Sequence, residues 1–170
     1  MISRVEYLTL KARVEEEYAN LDRLEKALRK LKLFPAVKTE SLNGLPLDDD
    51  ISCRVIGSFL HDYYCGPEKI YVHIAKSFGE GLPAGNQWHK ELLEQMTLNI
   101  PGVRTAVLSK KNLAKIDELR GFSHFFRNAY GFSIDPAREQ LLLSSLSSTS
   151  AAMKKDINGF FQQMDELILE

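Results

Sequence analysis

The distribution of apolar and polar positions along the chain predicts a protein built from helices. No Gly or Pro occurs from Ile2 to about Leu33, so the first predicted helix covers this range. Within it, apolar residues recur in alternating steps of three and four, as on one face of a helix. They are Leu21, Leu24, Leu28 and Leu31.

Helix-breaking and capping residues delimit the second and third helices. The acidic run Asp48–Asp50 suits the positively polarised first turn of a helix from Asp50 to about Phe78. Gly66–Pro67 lies in the middle of this helix and predicts a kink or a short break there, because proline lacks the amide donor. A polar connection follows, and Asn86 is the predicted N-cap of a short third helix.

Two further helices follow toward the C-terminus. Ser109 is the predicted N-cap of a fourth helix, which passes through Tyr130 and is terminated by Gly131. Asp135–Pro136 combines an N-cap residue with a proline at the first helical position, and opens a fifth helix that continues to about Leu169.

Together these elements predict an all-α fold, an antiparallel helical bundle of about five helices in a single domain over residues 1–170. The Ser-rich and Thr-rich segment 144–153 has weak helix propensity, so the fifth helix is expected to fray or bend there. Segment 103–109 is rich in β-favouring residues and is expected to be extended, but no run alternates long enough to predict a strand.

Charge and cysteine content narrow the class of protein. With 22 Lys and Arg against 23 Asp and Glu, the net charge is −1, so any contact with nucleic acid must be local. Cys53 and Cys65 are too few for a disulfide scaffold and predict reduced thiols. The N-terminal residues carry charges throughout, with no continuous apolar run, so we expect a soluble, cytoplasmic protein with no membrane partner.

Common catalytic and metal-binding motifs are absent from the sequence. It has no phosphate-binding glycine loop, no zinc-ligand spacing and no nucleophile elbow, and we predict neither cofactor nor metal. The acidic runs Glu15–Glu17 and Asp48–Asp50 could bind a hard cation, but solvated faces or helix caps explain them more simply. His61, His73 and His89 fall on different turns and are interpreted as surface or interface side chains.

The stretch LRGFSHFFRNAYGF, residues 119–132, concentrates polar groups on one helix face. At about 100° per residue, Arg120, His124 and Arg127 point in similar directions. Two guanidinium groups beside an imidazole form an anion site that suits a phosphate, and the histidine can act as a general acid or base without a metal. The alternative is a cationic face that is solvated or paired with acids of a neighbouring helix. Three polar residues border this face: Ser123, Asn128 and Tyr130.

The chain from about Asp50 to Asp135 resembles the HepT-like branch of the HEPN superfamily, all-helical bundles of prokaryotic toxin–antitoxin modules. Three segments carry the resemblance, in the order expected of that branch. They are SFLHDYYCGPEKIYVHIAK, GLPAGNQWHKELLEQM and LRGFSHFFRNAYGFSID.

The resemblance implies a site near the end of the fourth helix. The signature of that branch is Arg, any four residues, His, any one residue, Tyr, and its Arg and His line a cleft across a homodimer where RNA is cut without metal. Here the signature falls on Ser123, Asn128 and Tyr130, so two of its three residues differ. Serine brings no cation and asparagine exchanges no proton near neutral pH. A register-shifted site, with His124 as acid or base and Arg120 or Arg127 as phosphate clamp, is therefore our hypothesis.

The resemblance also implies partners. In such toxins the tyrosine of the signature, here Tyr130, is modified with AMP by a minimal nucleotidyltransferase antitoxin. We expect a homodimer with the face from Arg120 to Tyr130 near its two-fold axis. The leading functional hypothesis is a HepT-like toxin that acts as a metal-independent endoribonuclease. The alternatives are a catalytically degenerate homodimer that binds RNA or the antitoxin without cleavage, and a helical adaptor unrelated to RNA.

Overall fold

The computed structural model describes residues 2–169 and contains five α-helices, so the predicted all-α fold is confirmed. Buried apolar side chains of all five helices join one core cluster. None of the helices in this range is long and apolar enough to cross a membrane. The helices are α1 (Arg4–Lys30), α2 (Asp50–Ser77), α3 (Trp88–Met96), α4 (Lys110–Asn128) and α5 (Pro136–Ile168), and a single 3-10 turn covers Gly131–Ser133.

Two of the predicted helix starts are confirmed by side-chain caps. The Asp49 carboxylate accepts a hydrogen bond of 2.9 Å from the Ile51 amide at the start of α2. The Asp135 carboxylate accepts one of 3.0 Å from the Ala137 amide at the start of α5. Each bond satisfies an amide that has no partner within its helix, which is why these two helices begin where the acidic residues lie.

Helix α2 is the central element and contacts each of the other helices. It continues through Gly66–Pro67 as one α-helix, so of the two predicted alternatives, a kink or a short break, the break does not occur. Both residues are buried, and a Cβ atom at Gly66 would lie only 2.7 Å from a methyl carbon of Leu21 on α1. The close packing of α1 on this segment stabilises the helical backbone and compensates for the hydrogen bond that proline cannot donate.

A small hairpin between α1 and α2 was not predicted. Strands β1 (Ser41–Leu42) and β2 (Leu45–Pro46) pair antiparallel. Asn43 and Gly44 connect them with φ angles of 48° and 83°, the left-handed conformation that two-residue hairpin turns require. The Asn-Gly dipeptide is the local signal that could have predicted this turn, even though the flanking strands are too short to show alternation.

The starts of α3 and α4 differ in detail from the prediction. The N-cap of α3 is Gln87 rather than Asn86, and its side chain forms no capping bond. Ser109 is the N-cap of α4 as predicted, but its hydroxyl donates to Asp156 of α5 at 2.7 Å rather than capping α4. The Ser109 amide and the Asn112 side chain donate to the same carboxylate oxygen at 2.9 and 2.8 Å, so α5 holds the start of α4.

Segment 103–109 forms no strand among the described residues, although Ser109 at its end is extended. Its pairing is limited to an isolated bridge between Ile100 and Arg104. Arg104 is buried and forms an ion pair with Glu80, and its guanidinium also donates to the carbonyl of Leu98 at 2.9 Å. The segment is therefore held by the Arg104 side chain and by the amides of Val107 and Leu108, which donate to the Met96 carbonyl at 2.9 and 3.1 Å.

Helix α4 ends two residues earlier than predicted. Its last residue is Asn128, and Ala129 adopts an extended conformation with ψ of 144°, so Tyr130 lies outside the helix. Gly131 does not cap α4 but begins the 3-10 turn. A Cβ atom at Gly131 would lie 3.0 Å from Nε of Arg54, so glycine allows the guanidinium to pack against the backbone.

Helix α5 runs uninterrupted through the Ser-rich segment, so the predicted fraying is wrong. Thr149 and Ser150 in this segment are buried, and the Ser150 hydroxyl donates to the carboxylate of Glu25 at 2.9 Å. Tyr63 of α2 donates to the same carboxylate oxygen at 2.8 Å. Ser150 therefore joins a polar network between α1, α2 and α5, and this tertiary packing overrides the weak helix propensity of the segment.

The tight contact of α2 with α4 at Gly57 gives a prediction about stability. A Cβ atom at Gly57 would lie 2.6 Å from the Phe126 ring and 2.9 Å from a carboxylate oxygen of Glu139. We expect Gly57→Ala to lower the free energy of unfolding by roughly 1–3 kcal/mol because of overpacking. Gly159→Ala is the matched control, because nothing lies within 4 Å of its Cβ position, and its better helix propensity should raise stability by about 0.5–1 kcal/mol. Urea denaturation of both variants measures these changes, and a stabilising Gly57→Ala would contradict the prediction.

Candidate functional site

The predicted cationic face of α4 is only partly free. His124 and Arg127 are exposed and form no ion pair or side-chain hydrogen bond with another residue in the described range 2–169. Arg120 is half-buried, and its Nε donates to the Asp117 carboxylate at 2.6 Å. The structure therefore leaves two of the three predicted groups available for a ligand, and it engages the third within its own helix.

The three positions of the family signature do not converge on one site within a single chain. Ser123 is buried, with 1% of its surface exposed, and points into the bundle. Asn128 is exposed at the last residue of α4. Tyr130 lies beyond the helix with 70% of its surface exposed. The inward direction of Ser123 separates it from the two outward residues.

The partner of Ser123 is His61 of α2. The serine Oγ lies 2.6 Å from the imidazole Nδ1, and the imidazole packs beside the Phe126 ring with centroids 5.7 Å apart. His61 was interpreted from the sequence as a surface or interface residue. It is 62 residues from Ser123 in the chain, and no local spacing could have related the two. The position of the signature arginine is thus occupied by a buried serine in a partly buried polar contact between α2 and α4.

The two cysteines do not add a nucleophile to this region. Cys53 and Cys65 are both free thiols. Cys65 lies 3.9 Å from His61 Nε2, and burial raises the pKa of its thiol above the ordinary value, so the reactive thiolate is disfavoured. Burial likewise raises the pKa of Cys53, to about 12. In the part of the chain that the structure describes, no group of three or more His, Cys, Asp and Glu residues could hold a metal.

A buried carboxyl group lies directly behind the site. Glu139 of α5 is fully buried near Gly57, and neither of its carboxyl oxygens has a hydrogen-bond partner among residues 2–169. Burial, with a smaller contribution from Asp135, raises the pKa of Glu139 from 4.5 to about 8. The carboxyl is therefore mainly protonated at neutral pH and brings little negative charge to this end of α4.

Aromatic and cationic side chains from other elements surround the C-terminal end of α4. The rings of Tyr130 and Phe132 are stacked, with centroids 5.3 Å apart and an interplanar angle of 4°. Arg138 of α5 lies over the Phe125 ring, with its guanidinium carbon 5.8 Å from the centroid. Arg54 of α2 packs against Gly131. Arg54, Phe132 and Arg138 were not predicted as site residues from the sequence. The packing of α2 and α5 on α4 brings the two arginines to this place, and no local spacing could have shown it.

A comparison with protein-family models identifies the family. The model described as HepT-like protein matches residues 55–164, more than half of the chain. The chain belongs to the HepT-like family. The match begins in α2 and continues into α5, beyond the segment that carries the resemblance in the sequence, and α1 lies outside it. No curated protein and no solved structure matches the chain.

This HepT-like site has the chemistry of an anion-binding surface. His124 and Arg127 supply donors that have no partner in the described chain. Arg54 against Gly131 and Arg138 over Phe125 are two further guanidinium groups around the end of α4. Guanidinium groups bind phosphates with paired hydrogen bonds. At the position of the signature histidine, the Asn128 amide can donate or accept a hydrogen bond but cannot transfer a proton near neutral pH.

Two substitutions would restore the HepT-like signature, and only the one at position 123 should be opposed by steric crowding. Ser123→Arg places a long cation at a buried site that His61 already fills, so we expect a loss of at least 3 kcal/mol in the free energy of unfolding. Asn128→His changes an exposed residue and should alter stability by less than about 0.5 kcal/mol. Urea denaturation compares the two, and a Ser123→Arg protein as stable as the wild type would show that the bundle opens a path for the arginine.

The buried carboxyl predicts a pH dependence of stability. Glu139 binds its proton more tightly in the folded chain, because its pKa rises from 4.5 to about 8 on folding. Its contribution is therefore fully present below about pH 4.5 and is lost as the pH rises toward 8, by on the order of 4 kcal/mol in total. Glu139→Gln removes this titration. The variant should therefore become more stable relative to the wild type as the pH rises from about 4.5 to about 8. Urea denaturation at several pH values tests it, and a constant difference would contradict the prediction.

Proposed function

We propose that this HepT-like protein binds RNA at the C-terminal end of α4 and lacks the catalytic pair of its family. One observation carries the proposal: Ser123 at the signature arginine position is buried against His61, whereas Arg127 and His124 are exposed and unengaged by the described chain. Cations that suit a phosphate are thus retained, while the signature arginine and histidine are replaced by a serine and an asparagine. This corresponds to the degenerate RNA-binding alternative of the sequence analysis.

The loss of cleavage follows from what the transition state of phosphodiester hydrolysis requires. Negative charge develops on the phosphorane oxygens, and a group near the attacking or leaving oxygen must exchange a proton. Ser123 supplies no cation and is turned away from the surface, and Asn128 supplies no exchangeable proton at neutral pH. Binding needs only the positive charge, so it survives both replacements.

A second candidate function is the metal-independent endoribonuclease of the leading sequence hypothesis. In this reading His124 is the general acid or base and Arg127 is the phosphate clamp. The observation that favours it is that both side chains are exposed, lie three residues apart on α4, and form no ion pair with any other residue from 2 to 169. Arg120 would contribute only after leaving Asp117.

The proposal includes the partners that the resemblance implies. A homodimer with the α4 ends near its two-fold axis would double the cations that face one RNA strand, since a single helix end supplies few. Tyr130 is exposed outside the helix, so its hydroxyl is accessible to a nucleotidyltransferase antitoxin that would attach AMP there. The proposed antitoxin partner implies that the protein acts in a toxin–antitoxin module.

The experiment incubates purified protein with fluorescently labelled cellular RNA in EDTA and measures binding by anisotropy and cleavage on a denaturing gel. We expect binding without cleavage by the wild type. Arg127→Ala should weaken binding roughly tenfold and reduce the salt dependence of the affinity. Arg13→Ala is the matched control. Arg13 is exposed on α1 and lies near His73, which is close to the end of α2, whereas Arg54 is close to its start.

Each outcome decides between the candidates. Cleavage by the wild type that His124→Ala abolishes, with binding retained, would replace the binding function by the endoribonuclease. An absence of RNA binding at low salt would overturn both and favour the adaptor. Light scattering of the same samples reports the mass in solution, and a monomer at micromolar concentration would contradict the homodimer.

A further inference from the structure

Two aromatic rings beyond the end of α4 remain open to solvent. Tyr130 and Phe132 expose 70% and 72% of their surfaces, although their rings are nearly parallel and stacked. The stack therefore buries little of either residue, and at least one outer ring face is in contact with water. Contiguous exposed aromatic surface of this kind is characteristic of binding sites.

The stack adjoins a concave surface with polar groups at its edge. A concavity of about 320 Å³ lies between the 3-10 turn and the start of α2. It combines apolar side chains with one guanidinium and one carboxylate. Its lining residues are Asp50, Ile51, Arg54, Val55, Tyr130 and Phe132, with Gly131 at the base.

Arg54 lies close to the stack because Gly131, which has no side chain, leaves room for its guanidinium. The guanidinium lies 3.0–3.4 Å from the position that a Cβ atom would occupy there. Arg54 forms no ion pair with any residue of the described chain, and Asp50, one turn earlier on α2, is also without an ion pair in that range. A cation and an acceptor, each without a charged partner, thus border an open aromatic face.

We propose that Tyr130 and Phe132 form a stacking platform for an unpaired nucleobase, with Arg54 binding the adjacent phosphate. The inference rests on the RNA binding proposed above and names its substrate class, single-stranded RNA. A nucleobase has a flat apolar face and a polar edge, and the platform offers an aromatic face with hydrogen-bonding groups at its rim. Bases inside a duplex already stack on both sides and offer no free face, so the platform selects unpaired RNA.

Charge favours RNA over a second protein chain as the occupant. An apolar protein face laid on the stack would cover Arg54 and leave a buried guanidinium without a partner, which is strongly unfavourable. A strand of RNA brings a phosphate with every base, so stacking and charge neutralisation occur together. Arg127 and His124 lie in the last two turns of α4, a few residues before Tyr130 in the chain, and supply further cations near this end of the helix.

The test measures anisotropy of a labelled, unstructured 12-nucleotide RNA and of a duplex of equal length with the full chain. Phe132→Ala should weaken binding of the single strand by roughly 5- to 150-fold, the range for loss of one base–aromatic stack, and leave duplex binding within about twofold. Phe132→Tyr keeps the ring and is the matched control, with an expected change below about twofold. Arg54→Gln should reduce the slope of log affinity against log salt by about 0.7.

Three results would overturn the platform. If the single strand binds and Arg127→Ala weakens it, but Phe132→Ala does not, the platform is wrong while the proposed RNA binding stands. If Phe132→Ala weakens binding of the single strand and of the duplex equally, the ring does not act by stacking on an unpaired base. If Phe132→Ala leaves RNA affinity unchanged and lowers the mass in light scattering, a second copy of the chain covers the face. No RNA binding by the wild type would instead be the failure of the proposed function itself.

Discussion

The direct contact between α2 and α4 determines where each candidate functional residue lies. Gly57 has no side chain, so the Phe126 ring reaches the backbone of α2, and about one turn further along α2 the imidazole of His61 meets Ser123. Two contacts at successive turns of antiparallel helices fix the rotation of α4 about its own axis. With Ser123 turned inward, helical geometry leaves His124 and Arg127 in solvent. The electrostatic character of the surface is therefore a consequence of how a glycine and a histidine pack on the opposite side.

Local signals accounted for most of the fold. The apolar periodicity and the acidic caps predicted α2 and α5 to within one residue at each end, because caps and helical stripes act over a few residues. The errors occur where distant packing outweighs local preference. Gly66–Pro67 is helical because α1 packs on it, and the Ser-rich part of α5 is helical because its buried serine bonds to Glu25. These interactions join segments far apart in the chain, and no window of sequence contains them.

The residues of the candidate site were likewise predictable only where they lie close together in the sequence. The shared direction of His124 and Arg127 could be read from a 3.6-residue repeat, and the engagement of Arg120 by Asp117 is a three-residue spacing that the sequence also contained. His61, Arg54 and Arg138 could not be predicted, since α2 and α5 bring them to α4 from distant parts of the chain. Resemblance to the HepT-like family located the signature positions, but only the structure shows that Ser123 is buried.

The two ends of α4 are anchored very differently. At its start, one carboxylate oxygen of Asp156 accepts three hydrogen bonds from Ser109 and Asn112. At its other end, the capping backbone bond from Ala129 to Phe126 is long, at 3.4 Å, and the last residue is exposed. Side-chain hydrogen bonds to α5 therefore hold the start of α4, whereas its end is held by the packing of Phe126 on Gly57. The position of that end thus depends on one aromatic contact rather than on a hydrogen-bonded cap.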